Sequence, residues 1–367
     1  MIRRPVRLLD CPRLTDVDNM LRILSTIGCQ THWEDGALLV DASQADSFEL
    51  PEHLSKELRS SIFLLGPVLA RFRRANVAYP GGCEIGNRPI DLHLSGLRRL
   101  GVSIREESGR ILCDGGSLTG ADIHLDYPSV GATENIMMAA VSAVGETVIR
   151  NAAREPEILD LQNFLLSAGF RLKGAGSSTI VVQGGCDPRP VTYRVMPDRI
   201  VAGTLLTAAA ITGGSVTLEN TVPEHMTGTL AKLSESGCRI RYEAGRIDLT
   251  GPVRPRALKL VETLPHPGFP TDMQAQLFAL CAIADGTSLI VENVFENRFK
   301  HAQELTRMGA DSTVRARTAV IRGVKKLTGA RVTACDLRGG AALMLAGLAA
   351  EGDTAVENAA HVDRGYE

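Results

Sequence analysis

The stretch Gly145-Glu146-Thr147-Val148-Ile149-Arg150-Asn151 decides the fold, because the same arrangement returns along the chain. In each copy a glycine precedes a short run rich in β-branched residues, and an Asn ends it. Further copies cover 214–220, 286–293 and 352–358, and residues 6–10 match the run with Asp at its end. β-Branched residues between glycine and asparagine are typical of short strands bounded by turns. The pattern predicts a repeated, strand-containing unit.

A second signal repeats with the same period. Gly28, Gly101, Gly169, Gly237 and Gly309 recur about every 70 residues, each after an apolar-patterned segment, and glycine there is the usual helix C-cap signal. Each unit is therefore predicted to contain a helix that ends at one of these glycines.

The helices of the unit are of two kinds. The helix before each capping glycine carries one apolar stripe, as at Ile158, Leu161 and Leu165, and is expected at the surface. The helix before each β-branched run is apolar almost all round and is expected in the interior. Helices of this second kind are predicted at 136–140, 205–210, 276–282 and 341–347. The sequence thus predicts an α/β fold built from units with one buried helix, one surface helix and several strands.

The period also bears on the ends of the chain. Four units are complete, but the buried helix expected before residues 6–10 is missing, and the last predicted surface helix stops at Glu367. We therefore expect a six-unit protein that is truncated at both ends.

Composition excludes several classes of function. Lys and Arg total 40 against 42 Asp and Glu, so the chain lacks the basic footprint of a nucleic-acid binder. The longest apolar run, at 136–144, is far shorter than the roughly 20 residues that span a bilayer. The eight cysteines form no CxxC pair and no cluster with histidine, which indicates reduced, mostly buried thiols in a cytoplasmic protein without a metal site.

A glycine- and proline-rich stretch, Tyr79-Pro-Gly-Gly-Cys83-Glu-Ile-Gly-Asn-Arg88-Pro-Ile-Asp91, interrupts the pattern of the second unit. Glycine permits close approach of a ligand and proline stiffens the chain, so a shaped loop is expected. Nearby positive charge from Arg88 could hold Cys83 partly as thiolate, the form needed for catalysis. The alternative is an inert small residue in a tight turn.

Charged residues stand at the predicted starts of the buried helices. Capping explains Asp198, Asp272 and Asp336, whereas Arg59 and Arg338 oppose the helix dipole there. Such arginines indicate an anionic partner, either a ligand or a structural carboxylate. Gathered on one face, these groups suit a doubly anionic small substrate with a carboxylate available for proton transfer.

Six ordered stretches resemble the enolpyruvyl transferases, and among them the UDP-N-acetylglucosamine 1-carboxyvinyltransferases. They cover 80–93, 128–133, 151–158, 269–276, 294–299 and 361–367. The resemblance implies an inside-out α/β barrel fold with two globular domains of three units each. The domains would be 1–195, with the Cys83 loop, and 196–367, with Asp272, Arg338 and Arg364.

This resemblance also implies a reaction. The family moves the enolpyruvyl group of phosphoenolpyruvate onto the 3′-hydroxyl of UDP-N-acetylglucosamine and releases phosphate, which is the first committed step of peptidoglycan synthesis. The reaction proceeds by addition and elimination through a tetrahedral intermediate. The implied partners are these two small substrates, with no cofactor, metal, nucleic acid or membrane.

Roles for individual residues follow from the resemblance alone. It implies that Asp272 is the base at the sugar hydroxyl and that Cys83 is an acid or an aid to product release. The phosphoenolpyruvate-binding residues it implies are Arg88 and Arg364 at the phosphate and Arg298 and Arg338 at the carboxylate. The implied contacts to UDP-N-acetylglucosamine are Arg59, Arg88, Pro89, Ile90, Asp91, Leu92, Ser129, Val130, Gly131, Asp272 and Val294.

One departure from the family concerns a Lys-Asn pair at the start of its first buried helix, which has no counterpart in this sequence. We therefore expect this chain to be unstable or inactive, and its full-length parent to be active. Two alternatives stay open. One is transfer to shikimate 3-phosphate, against which the cysteine loop argues. The other is a non-catalytic UDP-sugar-binding paralogue, against which the retained Cys83, Asp272 and arginines argue.

Overall fold

The structure, a computed structural model, describes residues 2–80 and 90–367. Within these ranges the chain divides into two compact units, the first formed by residues 2–80 and 90–196 and the second by 197–367. Each unit has its own hydrophobic core. Every helix in the described ranges falls short of the length and apolar character that crossing a bilayer requires.

Helices and strands alternate through both units. The α-helices of the described residues are α1 (Thr15–Thr26), α2 (Glu52–Glu57), α3 (Leu65–Phe72), α4 (Asp91–Arg99), α5 (Val130–Ala140), α6 (Pro156–Ser167), α7 (Arg199–Thr212), α8 (Thr227–Glu235), α9 (Gln274–Ile283), α10 (His301–Arg307) and α11 (Leu337–Leu348). Short 3-10 helices lie at Arg59–Leu64, Pro223–Met226, Thr271–Met273 and Ala359–His361.

Strands of the first unit are β1 (Val6–Leu9), β2 (Gln30–Glu34), β3 (Ala37–Asp41), β4 (Arg74–Ala78), β5 (Ser103–Glu107), β6 (Arg110–Asp114), β7 (Asp122–His124), β8 (Glu146–Arg150), β9 (Arg171–Lys173), β10 (Thr179–Gln183) and β11 (Val191–Arg194). Those of the second unit are β12 (Ser215–Thr221), β13 (Arg239–Glu243), β14 (Gly245–Thr250), β15 (Val261–Glu262), β16 (Thr287–Val291), β17 (Asp311–Arg315), β18 (Thr318–Arg322), β19 (Leu327–Thr328), β20 (Arg331–Thr333), β21 (Ala350–Glu351) and β22 (Ala355–Glu357).

The sheets repeat one small mixed pattern. Strand β8, from the stretch that begins at Gly145, runs antiparallel to β10 and parallel to β7, and β16 has the same relation to β18 and β15. The sheet orders are β11-β1-β3-β2, β4-β6-β5, β7-β8-β10-β9, β12-β14-β13 and β15-β16-β18-β17, with the parallel pairs β19-β21 and β20-β22. Strand β11 pairs with β1, Val191 opposite Val6, so the end of the first unit joins its beginning.

Backbone geometry explains why four of the five repeated stretches end in Asn or Asp. Asp10, Asn151, Asn220 and Asn358 have φ angles of 57°, 53°, 53° and 56°. This left-handed conformation is unfavourable for most side chains, but Asn and Asp adopt it more readily than other non-glycine residues. In these four stretches the residue type therefore marks the point where the strand turns into the next segment, whereas Asn293, at the end of 286–293, does not share this conformation.

The capping glycines end their helices as predicted. After α6, Gly169 has a φ of 95°, and its N–H donates to Leu166 O while the N–H of Phe170 donates to Leu165 O. The same paired bonds close α1, α4, α8 and α10, where the glycines also have positive φ. This geometry is a Schellman-type cap, and it confirms the 70-residue period.

Central helices form the interior of each unit, with the sheets outside them. In the second unit α7, α9 and α11 pack against one another, and in the first unit α3 packs against α5. Every residue of α9 from 274 to 282 is buried. The fully interior prediction is wrong for one face of α7 and of α11, because Leu205 is 48% exposed and Met344 and Leu348 are 38% and 64% exposed. Met344 and Leu348 are one turn apart and so share a face.

Among the described cysteines Cys29, Cys113, Cys238 and Cys281 are buried, and the other three are partly buried. All seven described thiols are free.

Candidate functional site

One carboxylate and two arginines meet in the second unit. Asp272 lies in the 3-10 turn before α9, Arg298 lies in the loop before α10, and Arg338 is the second residue of α11. Arg298 Nη2 donates to Asp272 Oδ1 at 2.6 Å, and Arg338 Nη2 donates to Asp272 Oδ2 at 3.4 Å. The arginine side chains are 3% and 13% exposed, whereas Asp272 is 40% exposed. Two buried cations therefore share one carboxylate that reaches solvent.

The charge of Arg338 is secured by its surroundings. Burial alone would lower the pKa of Arg338, but the negative charges of Asp272 and Asp198 and the phenol of Tyr366 outweigh it and raise that pKa. A guanidinium that stays charged in a desolvated position attracts a carboxylate or phosphate strongly. The two guanidiniums can thus bind an anion, and in this structure the carboxylate of Asp272 occupies that position.

Asp336 and Asp198 act as helix caps, as predicted. Asp336 Oδ1 accepts from the N–H groups of Arg338 and Gly339, each at 3.0 Å. Asp198 Oδ1 accepts from Ile200 and Val201 at the start of α7. These bonds fix the first turn of α11, which carries Arg338.

Arg364 lies on a segment that packs against the same turn of α11. A Cβ atom at Gly340 would lie only 2.6 Å from Val362 Cγ2, and one at Gly365 would lie 2.9 Å from Leu337 Cδ2. The two glycines therefore allow the close approach that brings the segment carrying Arg364 to the helix carrying Arg338.

A buried carboxylate that sequence reasoning missed supports this site. Glu292 is fully buried, and its donors are Thr263 Oγ1 at 2.8 Å, Thr271 Oγ1 at 2.9 Å, Val294 N at 2.8 Å and Phe295 N at 3.0 Å. Thr271 precedes Asp272, so Glu292 ties the turn of Asp272 to the loop of Val294. No signal in the sequence separates it from Arg150, Glu219 and Glu357, which are exposed at the same position of the other repeats.

The second set of predicted residues gathers around His93 in the first unit. His93 lies in the first turn of α4, two residues after Asp91, and its ring stacks on Phe63 with centroids 6.1 Å apart. Phe63 belongs to the 3-10 helix that Arg59 begins. A Cβ at Gly131 would lie 2.4 Å from Phe63 Cε1 and 2.9 Å from His93 Cε1, so only glycine fits there.

Hydrogen bonds fix the protonation of His93. Gly66 N donates to Asn135 Oδ1 at 2.8 Å, so Asn135 Nδ2 is the donor to Ile62 O and to His93 Nδ1 at 2.7 Å. Burial, together with the nearby charge of Arg59, lowers the pKa of His93 to about 4, although Asp91 opposes this shift. His93 is therefore neutral at pH 7, with its proton on Nε2.

The remaining predicted contacts of this unit lie at two helix starts. Ser129 caps α5, its Oγ accepting from Ala132 N at 3.3 Å, and Val130 and Gly131 form the first turn of that helix. Ile90 is buried immediately before α4, and Asp91 and Leu92 begin that helix. Both helix starts converge on His93.

The structure corrects the predicted positions of two residues. Arg59 and Asp272 lie in 3-10 turns that precede the buried helices, so neither of them sits on the first turn of an α-helix. The 3-10 turns continue directly into α3 and α9, which is why the pattern looked like a single helix. Cys83, Arg88 and Pro89 lie outside the described residues.

Comparisons with known proteins agree on one family. The family model described as EPSP synthase (3-phosphoshikimate 1-carboxyvinyltransferase) matches residues 2–367. UDP-N-acetylglucosamine 1-carboxyvinyltransferase 2 of Caldanaerobacter subterraneus subsp. tengcongensis is 54% identical over 358 residues, which are 98% of this chain and 86% of that protein. UDP-N-acetylglucosamine 1-carboxyvinyltransferase 1 of Carboxydothermus hydrogenoformans is 50% identical over 370 residues, covering 100% of this chain and 87% of that protein.

Solved structures share the fold. The enolpyruvyl transferase NikO from Streptomyces tendae matches with a TM-score of 0.89 and 26% identity, over 100% of this chain and 87% of its own. EPSP synthase from Acinetobacter baumannii matches with a TM-score of 0.72 and 19% identity, over 100% of this chain and 88% of its own, which shows the common fold alone. The inside-out α/β fold implied by the family resemblance is confirmed, as is the α/β class predicted from the repeats.

Proposed function

Because the chain belongs to the UDP-N-acetylglucosamine 1-carboxyvinyltransferase family, we propose that it transfers the enolpyruvyl group of phosphoenolpyruvate to the 3′-hydroxyl of UDP-N-acetylglucosamine. Inorganic phosphate is the second product. The reaction commits the sugar nucleotide to peptidoglycan synthesis, and we propose a cytoplasmic location on that ground. The observation that carries the proposal is the accessible carboxylate of Asp272 held between the buried guanidiniums of Arg298 and Arg338.

Arg298 and Arg338 receive the carboxylate of phosphoenolpyruvate in this proposal. Two guanidiniums bind one carboxylate through charge-assisted hydrogen bonds of fixed direction. The carboxylate of phosphoenolpyruvate displaces the carboxylate of Asp272 from these two guanidiniums. The freed carboxylate of Asp272 then accepts the proton of the sugar hydroxyl, as a general base must do from hydrogen-bond distance.

The chemistry proceeds in two steps. In the addition, the sugar oxygen bonds to C2 of phosphoenolpyruvate, its proton passes to Asp272, and a proton is delivered to the methylene carbon C3. In the elimination, the bond from C2 to the phosphate oxygen breaks, C3 loses a proton, and the double bond forms again. We propose Cys83 as the acid at C3. Arginines stabilise the negative charge throughout, because they are oriented before the reaction begins.

The other predicted residues bind the remaining parts of the substrates. We propose that Arg88 and Arg364 hold the phosphate of phosphoenolpyruvate. The uridine-sugar contacts that we propose are Arg59, Arg88, Pro89, Ile90, Asp91, Leu92, Ser129, Val130, Gly131 and Val294. We further propose that 1–195 and 196–367 act as the two domains of the enzyme.

Shikimate 3-phosphate is the second candidate acceptor, because the matching family model is described by that activity. Sequence identity favours the sugar nucleotide. The curated relatives named for UDP-N-acetylglucosamine are 47% to 54% identical to this chain, whereas the EPSP synthase structures are 19% and 20% identical.

The proposal is tested by incubating the protein with phosphoenolpyruvate and each acceptor separately, and by measuring phosphate release and the mass of the product. We expect phosphate and an enolpyruvyl sugar nucleotide with UDP-N-acetylglucosamine, and neither with shikimate 3-phosphate. Binding of UDP-N-acetylglucosamine without phosphate release would instead support the non-catalytic alternative.

Two variants test the role proposed for Asp272. Asp272→Asn should lower turnover by about 100- to 10,000-fold, the range that a general base contributes. The matched control is Asp311→Asn, which breaks the exposed 3.2 Å ion pair between Asp311 and Arg322. The control should keep full turnover. Equal loss in both variants would contradict the role proposed for Asp272.

A further inference from the structure

A polar network holds Arg338 from the side opposite Asp272. Arg338 Nη1 donates to Tyr366 Oη at 3.3 Å, and the guanidinium carbon lies 5.7 Å from the centre of the Tyr366 ring. Arg338 Nη2 faces Asp272 Oδ2. The two ends of one guanidinium fork therefore have different partners, one neutral and one charged.

The direction of each hydrogen bond in this network follows from proton accounting. Thr204 Oγ1 donates its single proton to Ile200 O at 2.8 Å, one helical turn earlier. Its lone pairs then accept from Tyr366 Oη at 2.9 Å and from Gln276 Nε2 at 3.0 Å. Since the Tyr366 proton points to Thr204, the phenol oxygen presents lone pairs to Arg338 Nη1 and, at 3.4 Å, to Gln276 Nε2.

The inner end of the network is buried. Thr204 is 6% exposed and Gln276 is fully buried, and they lie on the central helices α7 and α9. Tyr366 belongs to the segment that packs against α11. The hydroxyl of Tyr366 thus connects all three central helices at the point where Arg338 emerges.

We propose that Tyr366 is a positioning residue, whose hydroxyl fixes the orientation of the Arg338 guanidinium toward the carboxylate of phosphoenolpyruvate. This inference rests on the proposed function of the Asp272 site. A guanidinium is planar, so a partner that fixes Nη1 also fixes the direction of Nη2. Without the hydroxyl, Nη1 of Arg338 loses this hydrogen bond, and the guanidinium is less well oriented when the substrate arrives.

The test is Tyr366→Phe, which keeps the ring over the guanidinium and removes the hydroxyl. We expect the KM and the calorimetric Kd for phosphoenolpyruvate to rise about tenfold, equivalent to 1.4 kcal/mol. The KM for UDP-N-acetylglucosamine should stay the same. A merely structural role would change both substrates and the unfolding temperature together, so such a result would overturn the proposal, as would an unchanged value for phosphoenolpyruvate.

Two further variants separate positioning from general damage. Tyr193→Phe is the matched control, because it removes a phenol hydroxyl that bonds to Asp160 in the first unit at 2.7 Å. It should leave the KM for phosphoenolpyruvate unchanged. Thr204→Val removes the acceptor of the Tyr366 proton and should weaken phosphoenolpyruvate binding, whereas Thr204→Ser, which keeps a hydroxyl, should restore it.

Titration of phosphoenolpyruvate by calorimetry distinguishes failure of this inference from failure of the proposed function. Binding that depends on Tyr366 without turnover would contradict the transferase proposal alone. Turnover with an unaltered Kd in Tyr366→Phe would contradict the positioning role alone. A protein that binds no phosphoenolpyruvate would contradict both.

Discussion

Replacing Asp272 with asparagine removes the one negative charge that Arg298 and Arg338 share, while keeping the shape of the side chain. In the ligand-free protein this leaves Arg298, which is 3% exposed, without the carboxylate that lies 2.6 Å away. The variant should therefore be less stable than the parent and should bind a small anion more tightly, because no carboxylate of the protein competes for the two guanidiniums.

The size of the effect follows from burial. Removing one partner of a fully buried ion pair costs about 3–5 kcal/mol. Asp272 is 40% exposed and Asn retains a carbonyl oxygen, so we expect about 1–2 kcal/mol, between the buried limit and an exposed pair. For a unit of this size that loss lowers the unfolding temperature by about 3–6 °C.

Thermal unfolding with and without phosphoenolpyruvate measures both consequences. The ligand should raise the unfolding temperature of Asp272→Asn by more than it raises that of the parent, since bound anion stabilises by mass action. Asp198→Asn is the control. Its negative charge also acts on Arg338, but its side chain caps α7, and Asn caps equally well. An unchanged unfolding temperature in Asp272→Asn, or an equal response to phosphoenolpyruvate in Asp272→Asn and Asp198→Asn, would contradict the proposal that Asp272 and phosphoenolpyruvate compete for the same two arginines.

Three other predictions follow from the buried groups of both units. Glu292→Gln removes the negative charge that four donors share and replaces one accepting oxygen with an NH2 group, so it should cost about 1–3 kcal/mol of stability in urea unfolding and lower turnover, whereas Glu219→Gln, exposed at the same repeat position, should do neither. His93 and His301 are buried, and burial lowers their pKa values from 6.5 to about 4. Between these pH values the unfolded chain therefore binds more protons than the folded chain, so the free energy of unfolding should fall as the pH drops from 6.5 toward 4. His301→Leu should reduce the difference in the free energy of unfolding between pH 7 and pH 5, measured in urea, and an unchanged difference would contradict this prediction. Gly131→Ala should weaken UDP-N-acetylglucosamine binding in calorimetry, because its methyl group would meet Phe63 and His93, and unaltered affinity would count against that contact surface.

Local backbone requirements made the fold predictable from sequence. A helix that ends at Gly169 needs a positive φ there, and a strand that ends at Asn151 needs the left-handed region. Both backbone conformations restrict the residue type, so glycine and asparagine recur at regular intervals in the sequence. The buried and exposed helices could be told apart by their hydrophobic patterns, since α9 is apolar almost all round and α6 carries a single apolar stripe.

Tertiary pairing made parts of the site unpredictable. The sequence left open whether an arginine such as Arg338 opposes the helix dipole for a ligand or for a structural carboxylate. The structure shows the carboxylate, Asp272, which comes from a different repeat. The burial of Glu292 and the contact of Tyr366 with Thr204 likewise depend on packing between repeats, for which the local pattern holds no signal. The expectation of an inactive chain, which rests on the Lys-Asn pair that has no counterpart in this sequence, competes with the proposed activity, and the turnover assay decides between them.

Proton nuclear magnetic resonance of the reaction in D2O tests the central claim most directly. The protein is mixed with phosphoenolpyruvate and UDP-N-acetylglucosamine, and the vinyl methylene signals of the sugar nucleotide product are followed. Addition and elimination require C3 to gain and lose a proton, so we predict an enolpyruvyl sugar nucleotide whose methylene carries deuterium. A product with an undeuterated methylene would contradict the two-step chemistry, and the absence of any vinyl ether on the sugar would contradict the transferase function itself.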